Sequence, residues 1–149
     1  MTIHKLLSRL KANLKQTDIS LYPVANEQLI KQFEQEMRLV LPTDFKIFYL
    51  FCNGFESAED MFRMIPLEEI LEYRNELPPK QFYLAEYSIY CGTWEVEIGI
   101  PISDHYQIFD QGVVLTSSLA AFINRFLQGG VFEKQGLHYW QDEVRGLTY

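Results

Sequence analysis

The sequence is short of cysteine, of histidine and of positive charge, and each shortage removes a class of function. Only two cysteines occur in 149 residues, and Cys52 lies inside an apolar run. Reduced thiols in a cytoplasm are therefore expected rather than a disulfide framework. His4, His105 and His138 are far apart, and none stands at metal-ligand spacing from another histidine or a cysteine, so neither a metal nor any other cofactor is expected. A net charge of −7 argues against direct binding of nucleic acid, which needs basic surface to displace counterions. No apolar run approaches the roughly 20 residues of a membrane span, and the N-terminus lacks a signal-peptide core. A cytoplasmic protein with no membrane partner is expected. There is no internal repeat and no low-complexity linker. At this length the whole chain, 1–149, reads as one domain that buries about two thirds of its unfolded surface.

What is present is a substantial core: 48% of residues are apolar and 15% aromatic. The plainest element runs from Leu41 to Gly54. Pro42 disfavours helix at Leu41, Thr43 offers a capping hydroxyl, and Asp44 places negative charge in the first turn. Phe45, Phe48, Tyr49 and Cys52 follow at helical spacing, and Asn53-Gly54 suits a left-handed helix end. Before it, Ile3 to about Leu14 forms a basic amphipathic helix expected to pack on the domain. Asn26 caps a second helix carrying Leu29, Ile30, Phe33 and Met37.

After Gly54 the pattern shifts. Met61 to Ile65 reads as a strand, and Pro66 opens a helix to about Asn75. Gln81–Tyr90 and Thr93–Ile100 form a hairpin, the second strand alternating Trp94, Val96, Ile98 and Ile100 with polar residues. Tyr106–Phe109 and Val113–Leu115 form another hairpin. Ser117 or Ser118 caps a last helix closed by Gly129-Gly130. The fold class is α+β: a mostly antiparallel twisted sheet of about 4–6 strands, packed with N-terminal helices and a C-terminal helix.

Residues 1–15 hold Lys5, Arg9, Lys11 and Lys15 with no acid, which leaves −11 for the rest. Acids gather at Glu56, Glu59, Asp60, Glu68, Glu69, Glu72 and Glu76, and again at Glu86, Glu95, Glu97 and Asp104. Two readings fit them: solvated faces, or an acidic docking face for a basic partner. Signs of catalysis are thin. Asp104-His105 are neighbours that a strand would point to opposite faces, and Ser117 and Ser118 lack a nucleophile-elbow pattern. Cys91 has no base at identifiable spacing. Glu95 and Glu97, about 7 Å apart on one strand face by strand rise, have the separation of paired glycosidase carboxylates but no further catalytic feature. No enzyme is expected.

Four segments carry a resemblance. The first is Phe33 to Gly54, with Leu41-Pro42-Thr43-Asp44-Phe45, Phe48 and Asn53-Gly54. The others are Ile65-Pro66-Leu67-Glu68-Glu69-Ile70, then Phe82 to Tyr90 with Trp94 to Ile98, and finally Ser118 to Ile123. In this order, over about residues 25–128, they resemble the SUKH superfamily. The helix at 1–20 and the tail at 130–149 carry no recognisable motif. The resemblance implies a binding module without shared catalytic residues. Bacterial members are mostly immunity proteins that neutralise a cognate toxin domain of a polymorphic system, often a nuclease; other relatives are adaptors or regulators of cell-wall or signalling proteins. A basic protein toxin is thus the expected partner. The docking face is expected at Glu95, Glu97, Asp104 and Asp110, with Glu56, Glu59 and Asp60 beside them and Tyr87 and Tyr90 as aromatic anchors; Trp94 sits at core spacing.

Overall fold

The computed structural model describes residues 1–147. Thr2 starts α1 (Ile3–Asn13), its hydroxyl accepting from the Lys5 N–H, and Ile3, Leu6, Leu7 and Leu10 are buried along one stripe. The chain then forms β1 (Ile19–Leu21) and α2 (Glu27–Met37), where the Asn26 side chain accepts from the Leu29 N–H at 2.7 Å. Next come α3 (Thr43–Phe51), β2 (Phe55–Ser57), β3 (Phe62–Met64) and α4 (Leu67–Glu72). The rest is β4 (Gln81–Tyr87), β5 (Gly92–Ile98), β6 (Tyr106–Asp110), β7 (Val113–Thr116), α5 (Leu119–Gly129) and α6 (Trp140–Val144).

All seven strands join one antiparallel sheet in the order β1-β2-β3-β4-β5-β6-β7. Period-2 alternation makes one face apolar, with Phe55, Phe62, Met64, Phe82, Trp94, Val96 and Ile108 all buried. Three helices cover that face through aromatic contacts. Phe33 of α2 and Phe45 of α3 both meet Phe82 edge-on, and Phe126 of α5 stacks on Phe62 with centroids 4.1 Å apart. Helix α1 packs against α3 and α5, so its stripe is core, as its spacing implies. No helix among the described residues is long and apolar enough to cross a membrane.

Several local expectations need correction. The sheet has seven strands rather than 4–6, because β1 and β2 were not legible. Each is three residues long, too short to display alternation. Thr43 is not the cap of α3. It is the first helical residue, and the Asp104 carboxylate accepts from both its N–H, at 2.7 Å, and its hydroxyl, at 2.9 Å. Asn53 does not close that helix in a left-handed conformation. Its side-chain oxygen accepts from the Leu67 N–H at 3.0 Å and starts α4, while its amide donates to Glu68 at 2.6 Å. Of the pair Asn53-Gly54 it is Gly54 that has positive φ, +92°, and an added Cβ there would lie 2.2 Å from the Met64 carbonyl oxygen. Asp104-His105 sits in a loop rather than on a strand.

The expected strand to Tyr90 stops at Tyr87, because Ser88, Ile89 and Tyr90 all turn at positive φ. The C-terminal tail is part of the fold: Val131 and Leu137 are buried and Trp140 stacks on Phe122. Its last two residues lie outside those described.

Candidate partner-binding face

The other face of the sheet is open, and its chemistry follows from the register. Ser20, Glu56, Arg63, Glu86 and Thr93 stand opposite one another in a row across β1 to β5. A bulge between Tyr83 and Ala85 restores the phase of β4, so Tyr83 faces Glu95 and Gln81 faces Glu97. Glu95 in turn faces Phe109 of β6, and Glu97 faces Gln107. The outward positions of β2 to β6 therefore present the carboxylates of Glu56, Glu86, Glu95 and Glu97 together with Arg63, Tyr83 and Phe109.

Arg63 is the centre of this face. Its guanidinium forks onto Glu69 of α4 at 3.0 and 2.5 Å and reaches Glu86 at 3.4 Å. Glu86 is only 2% exposed, so it stays in the fold because Arg63 and the Tyr90 N–H, at 3.1 Å, both bond it. The Tyr90 hydroxyl donates to Glu69 at 2.5 Å. The Arg63 hydrogen bonds, aided by that from Tyr90, outweigh burial and hold the Glu69 carboxyl below the usual range. Burial, and then the bond to Glu69, push the Tyr90 hydroxyl up.

The tyrosines are fixed in number and place. Tyr90 packs between Tyr73, at 5.2 Å, and Tyr83, at 6.0 Å between centroids. Tyr83 donates to Glu76 at 3.0 Å, and Tyr22 donates to Glu56 at 3.2 Å. Tyr90 reaches this position through the three-residue left-handed turn. Ile89 within it has φ +52° although it is β-branched, a conformation that costs energy and persists only where the surroundings hold it. The Ser88 N–H bonded to the Met61 carbonyl at 2.9 Å and Glu86 bonded to the Tyr90 N–H supply that hold. Tyr22, Tyr73 and Tyr83 were not among the expected site residues. Tyr22 and Tyr73 lie outside any strand pattern, and Tyr83 joins the face only through the bulge.

The expected docking residues divide into four groups. Glu56, Glu95 and Glu97 share the open face with Tyr90. Glu59 and Asp60 lie in the β2–β3 turn at the sheet's end. There Asp18 bonds the Ser57 hydroxyl and the Glu59 N–H, and the Asp60 carboxylate accepts from the Val131 N–H. Asp104 is exposed but engaged at the start of α3, and those two Thr43 bonds hold its carboxyl below the usual range. Asp110 and Tyr87 lie at the end of the sheet where β5 begins. Tyr87 contacts Trp94 and Phe132, and Trp94 is 2% exposed and belongs to the core.

Burial raises the Glu95 carboxyl above the usual range, and Asp110 nearby adds to the effect; burial likewise raises Asp110, with Asp142 adding to it. Of the two thiols, Cys91 is exposed in the turn beside Tyr90 and Cys52 is buried on the covered side. Burial pushes Cys52 up to about 12, which leaves it protonated in the core. Among the described residues no group of three or more histidine, cysteine or carboxylate side chains is arranged to hold a metal.

The family model described as SMI1 / KNR4 family (SUKH-1) matches residues 24–125, about two thirds of the chain. The match begins just before α2 and ends within α5, so it takes in β2 to β7 and the whole Arg63 network. No curated protein matches the chain.

Proposed function

The chain belongs to the SMI1 / KNR4 family (SUKH-1), and from that premise we propose that it is a non-enzymatic protein-binding module. Its role in this reading is that of an immunity protein, which binds a cognate toxin domain and occludes it. The observation that carries the proposal is the open sheet face, where Glu56, Glu95 and Glu97 remain unneutralised around an Arg63 already spent on Glu69 and Glu86. A toxin that acts on nucleic acid carries a basic surface, and an acidic sheet is its electrostatic complement. Long-range attraction speeds the encounter, and the half-buried tyrosines supply contact area at low entropy cost. The compartment that fits is the cytoplasm, where an incoming nuclease meets its substrate.

The test is growth rescue: cells expressing the C-terminal domain of a neighbouring secreted toxin should survive when this chain is co-expressed. Failure of rescue together with an isolated gene would favour the adaptor or regulator reading instead. Reversing Glu95 and Glu97 to lysine should lower the association rate roughly tenfold or more at low salt and flatten its salt dependence. The thermal transition should stay cooperative, since both side chains point away from the core. An unchanged rate and salt slope would remove these two residues from the site.

A further inference from the structure

One end of the sheet contains a cavity of about 360 Å³ that the open face does not account for. It lies between the two hairpin turns, 88–91 and 111–112, and is bordered by His138 and the first turn of α6. Strand β6 pairs with β5 only from Glu95 onward, so Thr93 and Trp94 have β4 on one side and this cavity on the other. Trp94, Glu95, Asp110, His138, Gln141 and Asp142 line it.

Two of these residues hold polar atoms that the fold leaves unmatched. Among the described residues, the indole N–H of Trp94, a residue 98% buried, has no acceptor, and the second carboxylate oxygen of Glu95 has no donor. Thr93 satisfies only the first, at 3.3 Å. A buried donor and a buried carboxylate oxygen left this way each cost free energy that a ligand recovers by pairing them. The ligand must therefore present an acceptor to Trp94 and a cation to Glu95 and Asp110. A guanidinium or ammonium beside a carbonyl has both, and a guanidinium additionally matches a carboxylate with two donors. The volume is at the small end of ligand sites, enough for one such group and its stem.

Resting on the protein-binding reading above, we infer that this cavity is a receptor for a basic residue of the partner, its cationic head between Glu95 and Asp110 and its carbonyl on the Trp94 indole. The raised Glu95 and Asp110 carboxyls are consistent with a site that lacks its counter-charge. His138 faces Asp110 and opposes that rise. It is exposed and packs against Phe132 and Tyr139, leaving the interior acidic.

The chain has two tryptophans, so the Trp94 indole N–H is one of two such signals in a ¹H–¹⁵N spectrum and can be followed directly. A blocked Gly-Arg-Gly peptide should shift it saturably, and the same peptide with citrulline for arginine should not. Asp110→Asn and Glu95→Gln, which each remove a half-buried charge without changing shape, should weaken binding roughly tenfold. Free arginine tests the source: weaker binding than the peptide assigns the site to a polypeptide, and equal or tighter binding overturns that assignment in favour of a small amine. An unmoved indole signal, or an equal shift with citrulline, overturns the cavity's role altogether. If the peptide binds and no toxin is neutralised, the immunity reading falls while the cavity stands. If rescue persists in Asp110→Asn and the peptide does not bind, the cavity falls alone.

Discussion

Replacing Phe48 by alanine will lower the free energy of unfolding by about 3–5 kcal/mol. Phe48 has no exposed surface, meets Tyr49 edge-on at 5.0 Å and approaches Phe55 of β2 at 6.4 Å. Its ring thus joins α3 to the sheet. Truncation removes the burial of that ring and leaves a void that the fixed ends of α3 prevent from collapsing. One end is tied to Asp104, and Tyr49 is anchored by its hydroxyl to the Ile65 carbonyl at 3.0 Å. A typical domain is stable by about 5–15 kcal/mol, so this one change removes roughly a fifth of the total at the least and most of it in a marginal domain. Leu50→Ala on the same helix is the control. Leu50 is 44% exposed, and its loss should cost less than about 1 kcal/mol. Chemical denaturation of the two variants reads the difference directly. At temperatures where Phe48→Ala remains folded, partner affinity should equal that of the parent chain, because α3 lies on the covered side of the sheet.

The contrast between α3 and the open face shows what the sequence could reveal. The apolar positions of α3 repeat at helical spacing within nine residues, so the helix, its buried face and the family resemblance were all legible locally. Its caps were not. The acceptor for Thr43 comes from Asp104, 61 positions away, and Asn53 caps α4 rather than its own helix; neither partner is determined by neighbours in the chain. Glu95 and Glu97 were legible as one surface because strand alternation puts them there. Arg63 was not, since it lies in a three-residue strand and gains its meaning only when register brings it beside Glu86 and α4 brings Glu69. The turn at 88–90 gave no warning either. It has no glycine, asparagine or aspartate, the residues that tolerate positive φ most readily, and tertiary hydrogen bonds maintain it instead.

Arg63→Met is the second change with a large expected effect, and it separates the roles of the two carboxylates that Arg63 serves. Methionine fills much of the same space but removes the charge. Glu86, 2% exposed, then loses its cation and keeps only the Tyr90 N–H. Removing one member of a buried ion pair costs about 3–5 kcal/mol in enclosed sites. Arg63 has a side chain 25% exposed, so solvent relieves part of that, and a loss of about 2–3 kcal/mol at pH 7 is expected. Adding Glu86→Gln should recover a large part of it, because the amide oxygen still accepts from Tyr90 while no charge remains stranded. If the double variant is no more stable than Arg63→Met alone, the loss comes from Glu69 and Tyr90. The pH dependence distinguishes these further. Glu69 has its folded pKa depressed, by Arg63 first, so the stability it contributes is present above its unfolded pKa and is lost as pH falls through the folded value. The gap between parent and Arg63→Met should therefore be widest near neutrality and narrow through the acid range. A gap that stayed constant down to pH 3 would mean that Arg63 acts by packing its stem rather than by holding two carboxylates and, through them, Tyr90 in place.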